Sequence, residues 1–245
     1  MTMTERLPSI RALSARFLPR GLFERDTRLA APRAEPVSVP PMRPRIEVPI
    51  RGATPETEAA HSLRALGRHM ARQDNWHALC SRIALADGAR ERSPGLRPVA
   101  LHLADGARAD LVAAARAAIA RGEPRKAQAA IASLEVNFED APDCPALSYV
   151  VALTHLDLAR AWRGDARLRD LPPLRRDAHD THMAAAAALA DRFDPFELDS
   201  PAWAWVRCMV LEADPRPAQR VADDYEDLID LDPGNPEALC ALGRD

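Results

Sequence analysis

The sequence predicts an all-α protein, built from antiparallel helical hairpins stacked side by side. Three observations predict it. Alanine supplies roughly a fifth of the chain and loses no side-chain entropy in a helix, while aromatic residues supply only 4%. From Thr54 onward, apolar residues recur at the three- and four-residue spacing of an amphipathic helix almost without a break. The same helix–turn–helix layout then returns along the chain, which marks an array of stacked hairpins.

The 245 residues leave room for one large domain or two small ones. A net charge of −3 gives no overall pull toward nucleic acid or an anionic membrane. The charge is unevenly spread. Residues 1–50 hold nine arginines against five acids, and residues 199–245 hold eleven acids against four arginines. A basic front and an acidic tail can attract each other within one chain or between copies. Cys80, Cys144, Cys208 and Cys240 are far apart in sequence. With no CxxC pair they read as buried reduced thiols, and a reducing cytoplasm is the expected location. No stretch reaches the ~20 apolar residues of a membrane helix.

In chain order, residues 1–31 form a basic arm with one short amphipathic segment, Ser9 to Leu18. Residues 32–53 form a Pro-rich linker that cannot continue a helix. Thr54, Pro55 and Glu58 give an N-cap, an N1 proline and an acid in the first turn. Two helices follow, joined at Gln73–Asn75, with Leu63, Leu66 and Met70 on one face of the first and Leu79, Ile83 and Ala86 on one face of the second. The next hairpin turns at Arg121–Gly122 and returns with Ala127, Ile131 and Leu134 aligned. A third begins at Pro145, is interrupted by a long polar loop at about 164–177, and returns through HDTHMAAAAALADRF. The fourth carries Trp205 and Cys208, turns at Asp214–Pro217, and returns with Val221, Tyr225 and Leu228. In three of these hairpins, Leu63, Leu111 and Trp205 precede Leu79, Ala127 and Val221 by the same sixteen positions.

On these residues the chain resembles the tetratricopeptide repeat. Leu66-Gly67 and Leu242-Gly243 match its Leu-Gly step, Ala127 its second-helix alanine, and Asp232-Pro233 its terminal step. The match is degenerate: Cys208-Met209 and Ala114-Ala115 replace Leu-Gly, and Leu79 and Val221 stand where alanine is usual. The resemblance covers roughly residues 58–245 and implies a tetratricopeptide-like domain over 54–245, its hairpins stacked as a right-handed superhelix whose concave face binds protein or peptide. After Leu242-Gly243 no returning helix follows, so the domain is expected to end in an incomplete repeat, in a fragment or in a half-hairpin completed by another subunit.

Within that frame, Arg64, Arg68 and Arg72 recur every four residues on the first helix, and Arg116 holds the position equivalent to Arg68 in the next hairpin. The resemblance puts this stripe on the inner face, where guanidiniums grip the carboxylates of an acidic peptide or a chain terminus. The alternative for these four is a solvated helix face. Trp203 and Trp205 diverge by about 200° on a helix. Trp205 is assigned to the core and Trp203 to the groove, as an anchor for the partner; the alternative for Trp203 is packing against the preceding FDPFELDS loop. Asp177, His179 and His182 form a weak metal-binding candidate, two histidines on one helix face beside a carboxylate. The alternative is a helix start with solvated histidines.

No GxGxxG, GxxxxGK[ST] or GxSxG motif occurs, so neither a nucleotide cofactor nor a serine nucleophile is expected. The expectation is a noncatalytic protein- or peptide-binding scaffold without a cofactor, with no nucleic-acid partner. A metal-dependent enzyme near Asp177–His182 and a self-associating structural subunit stand as the alternatives.

Overall fold

The computed structural model describes residues 52–214, 216–217, 220–236 and 238–239. The basic arm, nearly all of the Pro-rich linker and residues 240–245, where the incomplete repeat is expected, lie outside the described residues.

Helix α1 (Pro55–Arg72) starts where the cap signal places it. Thr54 is extended, and its Oγ1 accepts the Thr57 N–H at 3.2 Å while Thr57 Oγ1 accepts the Thr54 N–H at 2.8 Å. This reciprocal box satisfies two donors that a helix start otherwise leaves open. The joint to α2 (Trp76–Gly88) falls at Gln73–Asn75, with Asp74 at φ +56° and Asn75 Oδ1 accepting from Ala78 N–H. Helix α3 (Val99–Ala120) begins well before the hairpin expected there and ends at Gly122, whose φ of +71° lies in the region where glycine carries no Cβ penalty. The returning path is split into α4 (Pro124–Ala129) and α5 (Ala132–Asp140).

Helix α6 (Pro145–Arg163) is followed by a short 3-10 turn, Leu168–Asp170, and then α7 (Pro173–Arg192). The intervening loop is therefore 164–172, shorter than 164–177, because Pro173 takes the first helical position, where its missing N–H costs nothing. Helix α8 (Pro201–Val210) runs on into the 3-10 turn Leu211–Ala213, and α9 (Val221–Leu231) returns beside it.

The first helix of each hairpin packs on the next: α1 on α3, α3 on α6, α6 on α8. The returning helices cover them from the other side, α2 and α4 on α3, α5 and α7 on α6, α9 on α8. Helix α6 is the axis of this arrangement and is buried at every position from Ala146 to Leu156. The α1–α3 contact is the closest backbone approach. A Cβ on Gly67 would stand 2.1 Å from the Leu103 carbonyl oxygen, and one on Gly106 would stand 2.1 Å from that of Arg64. The glycine of the Leu-Gly step is thus required by the neighbouring helix, while Leu66 itself is 42% exposed and not a core residue.

The stack also closes on itself. In a linear array each repeat touches only its neighbours. Here α2 reaches both α6 and α8, and the loop after α2 reaches the last hairpin. Arg90 pairs with Asp199 and donates to the Leu231 carbonyl at 3.3 Å, and Arg92 pairs with Asp232. Asp87 accepts from Ser200 Oγ and from Ala202 N–H at 3.0 Å, and burial raises its pKa. Among the described residues, no helix is long and apolar enough to cross a membrane.

Candidate functional site

All four first helices contribute to one open groove of about 500 Å³. Its charged lining among the described residues is five arginines, Arg64, Arg97, Arg108, Arg116 and Arg160, against two carboxylates, Asp105 and Asp157. Leu101, Val112, Leu153 and Leu156 form an apolar floor between the charges, and Trp205 and Met209 come in from α8.

The charges form one chain of contacts. Asp105 meets Arg64 at 3.6 Å, Arg97 at 3.4 Å and Arg108 at 2.7 Å. Asp157 accepts from Arg108 Nε at 2.8 Å and from Arg116 Nη2 at 3.1 Å. Arg108 therefore lies between both carboxylates, and it is only 8% exposed. A guanidinium has five donors, and Arg108 Nη1 is buried with no partner among the described residues.

Arg160, on α6 three residues after Asp157, is exposed in the groove. Among the described residues no carboxylate pairs with it. Burial by its surroundings lowers its pKa, and the positive charges of Arg163, Arg108 and Arg116 lower it further against the pull of Asp157. Guanidinium stays protonated regardless.

The four arginines of the sequence stripe separate into two groups. Arg64 and Arg116 line the groove. Arg68 and Arg72 instead share Asp110, at 2.9 Å and 2.6 Å. Arg72 first, then Arg68, holds the Asp110 carboxyl below its usual range. Asp110 on α3 draws these two guanidiniums to itself, so the i, i+4 spacing does not bring all three arginines into the groove.

Trp203 is not in the groove. It is 2% exposed, stacked on Phe193 at 4.7 Å and edge-on to Tyr149 at 6.2 Å. Trp205 is half-buried, packs against the core between α8 and α9 and also reaches the groove, while Trp203 takes its alternative place against Phe193 of the FDPFELDS segment and not the groove-anchor role. The physical reason is that α8 is covered on both sides, by α6 and α7 on one and by α9 on the other. Ser200 fixes the rotation by capping Trp203 N–H at 3.2 Å, which turns Trp203 into the α6–α7 side.

Around the metal candidates, α7 has already begun at Pro173. Asp177 is therefore in its second turn and exposed, while His179 is 2% exposed and has Nδ1 at 3.0 Å from Asp180. His182 turns to His155 of α6, Nδ1 to Nδ1 at 2.9 Å. A separation this short between two rings is a hydrogen bond in which one nitrogen donates and the other accepts, so the accepting ring is neutral. Burial holds His155 down to about 4, and burial with the neighbouring His155 and His179 holds His182 at about 3. Among the described residues, no cluster of three or more His, Cys, Asp or Glu side chains is placed to hold a metal ion.

Sequence reasoning missed Arg97, Arg108, Arg160, Asp105 and Asp157. The one available signal was Asp157 and Arg160, the two charges that follow the uncharged run of α6 from Ala146 to Leu156. No family model, no curated protein and no solved structure gives a significant match to the chain.

Proposed function

We propose that the protein is a noncatalytic, tetratricopeptide-like scaffold whose groove over α1, α3, α6 and α8 captures a carboxylate-rich peptide, through side-chain carboxylates or a chain terminus. The observation that carries this reading is the excess of five arginines over two carboxylates in one groove, with Arg160 lacking a carboxylate partner and Arg108 Nη1 lacking an acceptor among the described residues. Bidentate pairing suits guanidinium and carboxylate. Trp205, half-buried at the α8 edge, supplies the large apolar contact that interface anchors commonly need.

Binding of a fluorescein-labelled octapeptide of glutamate and leucine, read by anisotropy, tests it. The wild-type protein is expected to bind, with an affinity that falls steeply between 50 and 500 mM salt, roughly as exposed charge pairs do. Arg160→Glu should weaken binding by about tenfold or more, since it replaces attraction by repulsion at the groove. Arg72→Glu, whose side chain is outside the groove, should have a much smaller effect. Equal loss in both variants, or none in Arg160→Glu, would reject the groove.

A further inference from the structure

Cys80 and Cys144 are far apart in the sequence and come together in the fold. Cys80 lies on α2 and Cys144 is the N-cap residue of α6. Both line a second cleft, of about 590 Å³, between α2 and the starts of α6 and α8. Cys144 packs against the core cluster that contains Cys80, and each thiol is the largest influence on the other's ionisation. Cys80 is 8% exposed, while Cys144 is half-buried and open to the cleft. The Cys80 thiol, and then the Leu147 and Ala146 backbone N–H groups at the start of α6, hold the Cys144 thiol well below its usual value; His77 adds to this. Cys80 is pushed in the opposite direction by the same contact and by burial. This division of roles, one more acidic and more open thiol at a helix start and one buried, less acidic thiol beside it, is that of an attacking and a resolving cysteine.

We propose that Cys80 and Cys144 are an oxidant-responsive dithiol that closes to an intramolecular disulfide with a peroxide as oxidant, linking α2 to the start of α6. The Cys144 thiolate attacks one oxygen of hydrogen peroxide. An S–O bond forms, the O–O bond breaks, and Cys144 becomes a sulfenic acid as hydroxide leaves. The Cys80 sulfur then attacks the Cys144 sulfur. The S–S bond forms, the S–O bond breaks, and the departing hydroxide takes the Cys80 proton as water. Two thiols are oxidised and the peroxide is reduced to the level of water, so the electrons balance. Cys208, buried and with its thiol pushed up to about 12 by burial and then by Asp224, stands apart from this chemistry.

The full chain, reduced and then treated with a small excess of hydrogen peroxide at neutral pH, tests the proposal by intact mass and non-reducing peptide mapping. The expected result is a monomer lighter by two hydrogens, with the Cys80 and Cys144 peptides linked and Cys208 still alkylatable. Dithiothreitol should restore the reduced mass. In a Cys80→Ser variant, dimedone should trap the Cys144 sulfenic acid that the wild type resolves. Because the bridge closes a loop of roughly 65 residues, the oxidised form should melt about 5 °C or more higher. Oxidation that leaves Cys80 and Cys144 unlinked, as separate sulfinic acids or as cross-linked dimers, would overturn the proposal.

Discussion

Single residues set several terms that the sequence pattern leaves open. The His155–His182 pair is the clearest. Both rings are neutral in the folded protein, with pKa values at about 4 and 3, whereas in the unfolded chain they take up protons below about 6.5. Their folded values are depressed, so the stability they allow is complete above pH 6.5 and is lost as pH falls from there toward 4 and then 3. At pH 5 the loss is about 2 kcal/mol per histidine relative to pH 7.5. Urea denaturation at the two pH values measures it, with His182→Asn expected to remove roughly half of the difference. An equal slope in the variant would show that other groups cause it. The two tryptophans teach a related lesson. Their 200° divergence is legible, and so is the alternative of Trp203 packing on the FDPFELDS segment, whose Phe193 stacks on it; the choice between that packing and the groove depends on α6, α7 and α9 together.

At the scale of elements, the ends were legible and the faces less so. Thr54, Gln73–Asn75 and Gly122 mark boundaries because capping and left-handed turns are decided within a few residues. The early start of α3 at Val99 was missed because Pro98 supplies no side-chain cap. The glycines of the α1–α3 crossing have a sharper role than helix propensity gives them. In an open helix, alanine would gain up to about 1 kcal/mol over glycine. At Gly67 and Gly106 the added methyl would instead meet a carbonyl oxygen of the facing helix at 2.1 Å. Gly67→Ala and Gly106→Ala should each destabilise by about 1–3 kcal/mol, the usual cost of overpacking. Gly88→Ala is the control: nothing lies within 4 Å of its added Cβ, so it should be neutral or stabilising. Thermal denaturation of the three variants distinguishes the crossing from a general glycine effect.

At the scale of the molecule, the all-α class followed directly from alanine content and apolar period, and the groove over the first helices follows from stacking hairpins in order. The closure did not follow. Arg90, Arg92 and Asp87 lie in and just before an ordinary-looking connection, and their partners Asp199, Asp232 and Ser200 are more than a hundred residues away. Periodicity is silent about such pairs, as it is about the meeting of Cys80 with Cys144. Closure also changes how the fold should come apart. A linear array melts with loose coupling between distant repeats, but contacts from first hairpin to last bind the two ends into one unit. Urea unfolding should therefore give coincident transitions by far-UV circular dichroism and by tryptophan fluorescence, since Trp76 belongs to the first hairpin and Trp203 to the last. Arg92→Ala should separate the two curves; separated curves in the wild type would show that the closing contacts carry little energy.

Lys126 is the chain's sole lysine among 33 basic residues. It sits in the first turn of α4, on the covering layer, with its side chain 70% exposed and its ammonium held lightly by Glu123 at 2.8 Å. Guanidiniums do not acylate under conditions where an amine does, since they stay protonated. Apart from the α-amino group, the protein thus carries one addressable amine, away from the lining of both clefts. A dye or a surface tether placed there orients every molecule alike and leaves the arginine groove facing the solution.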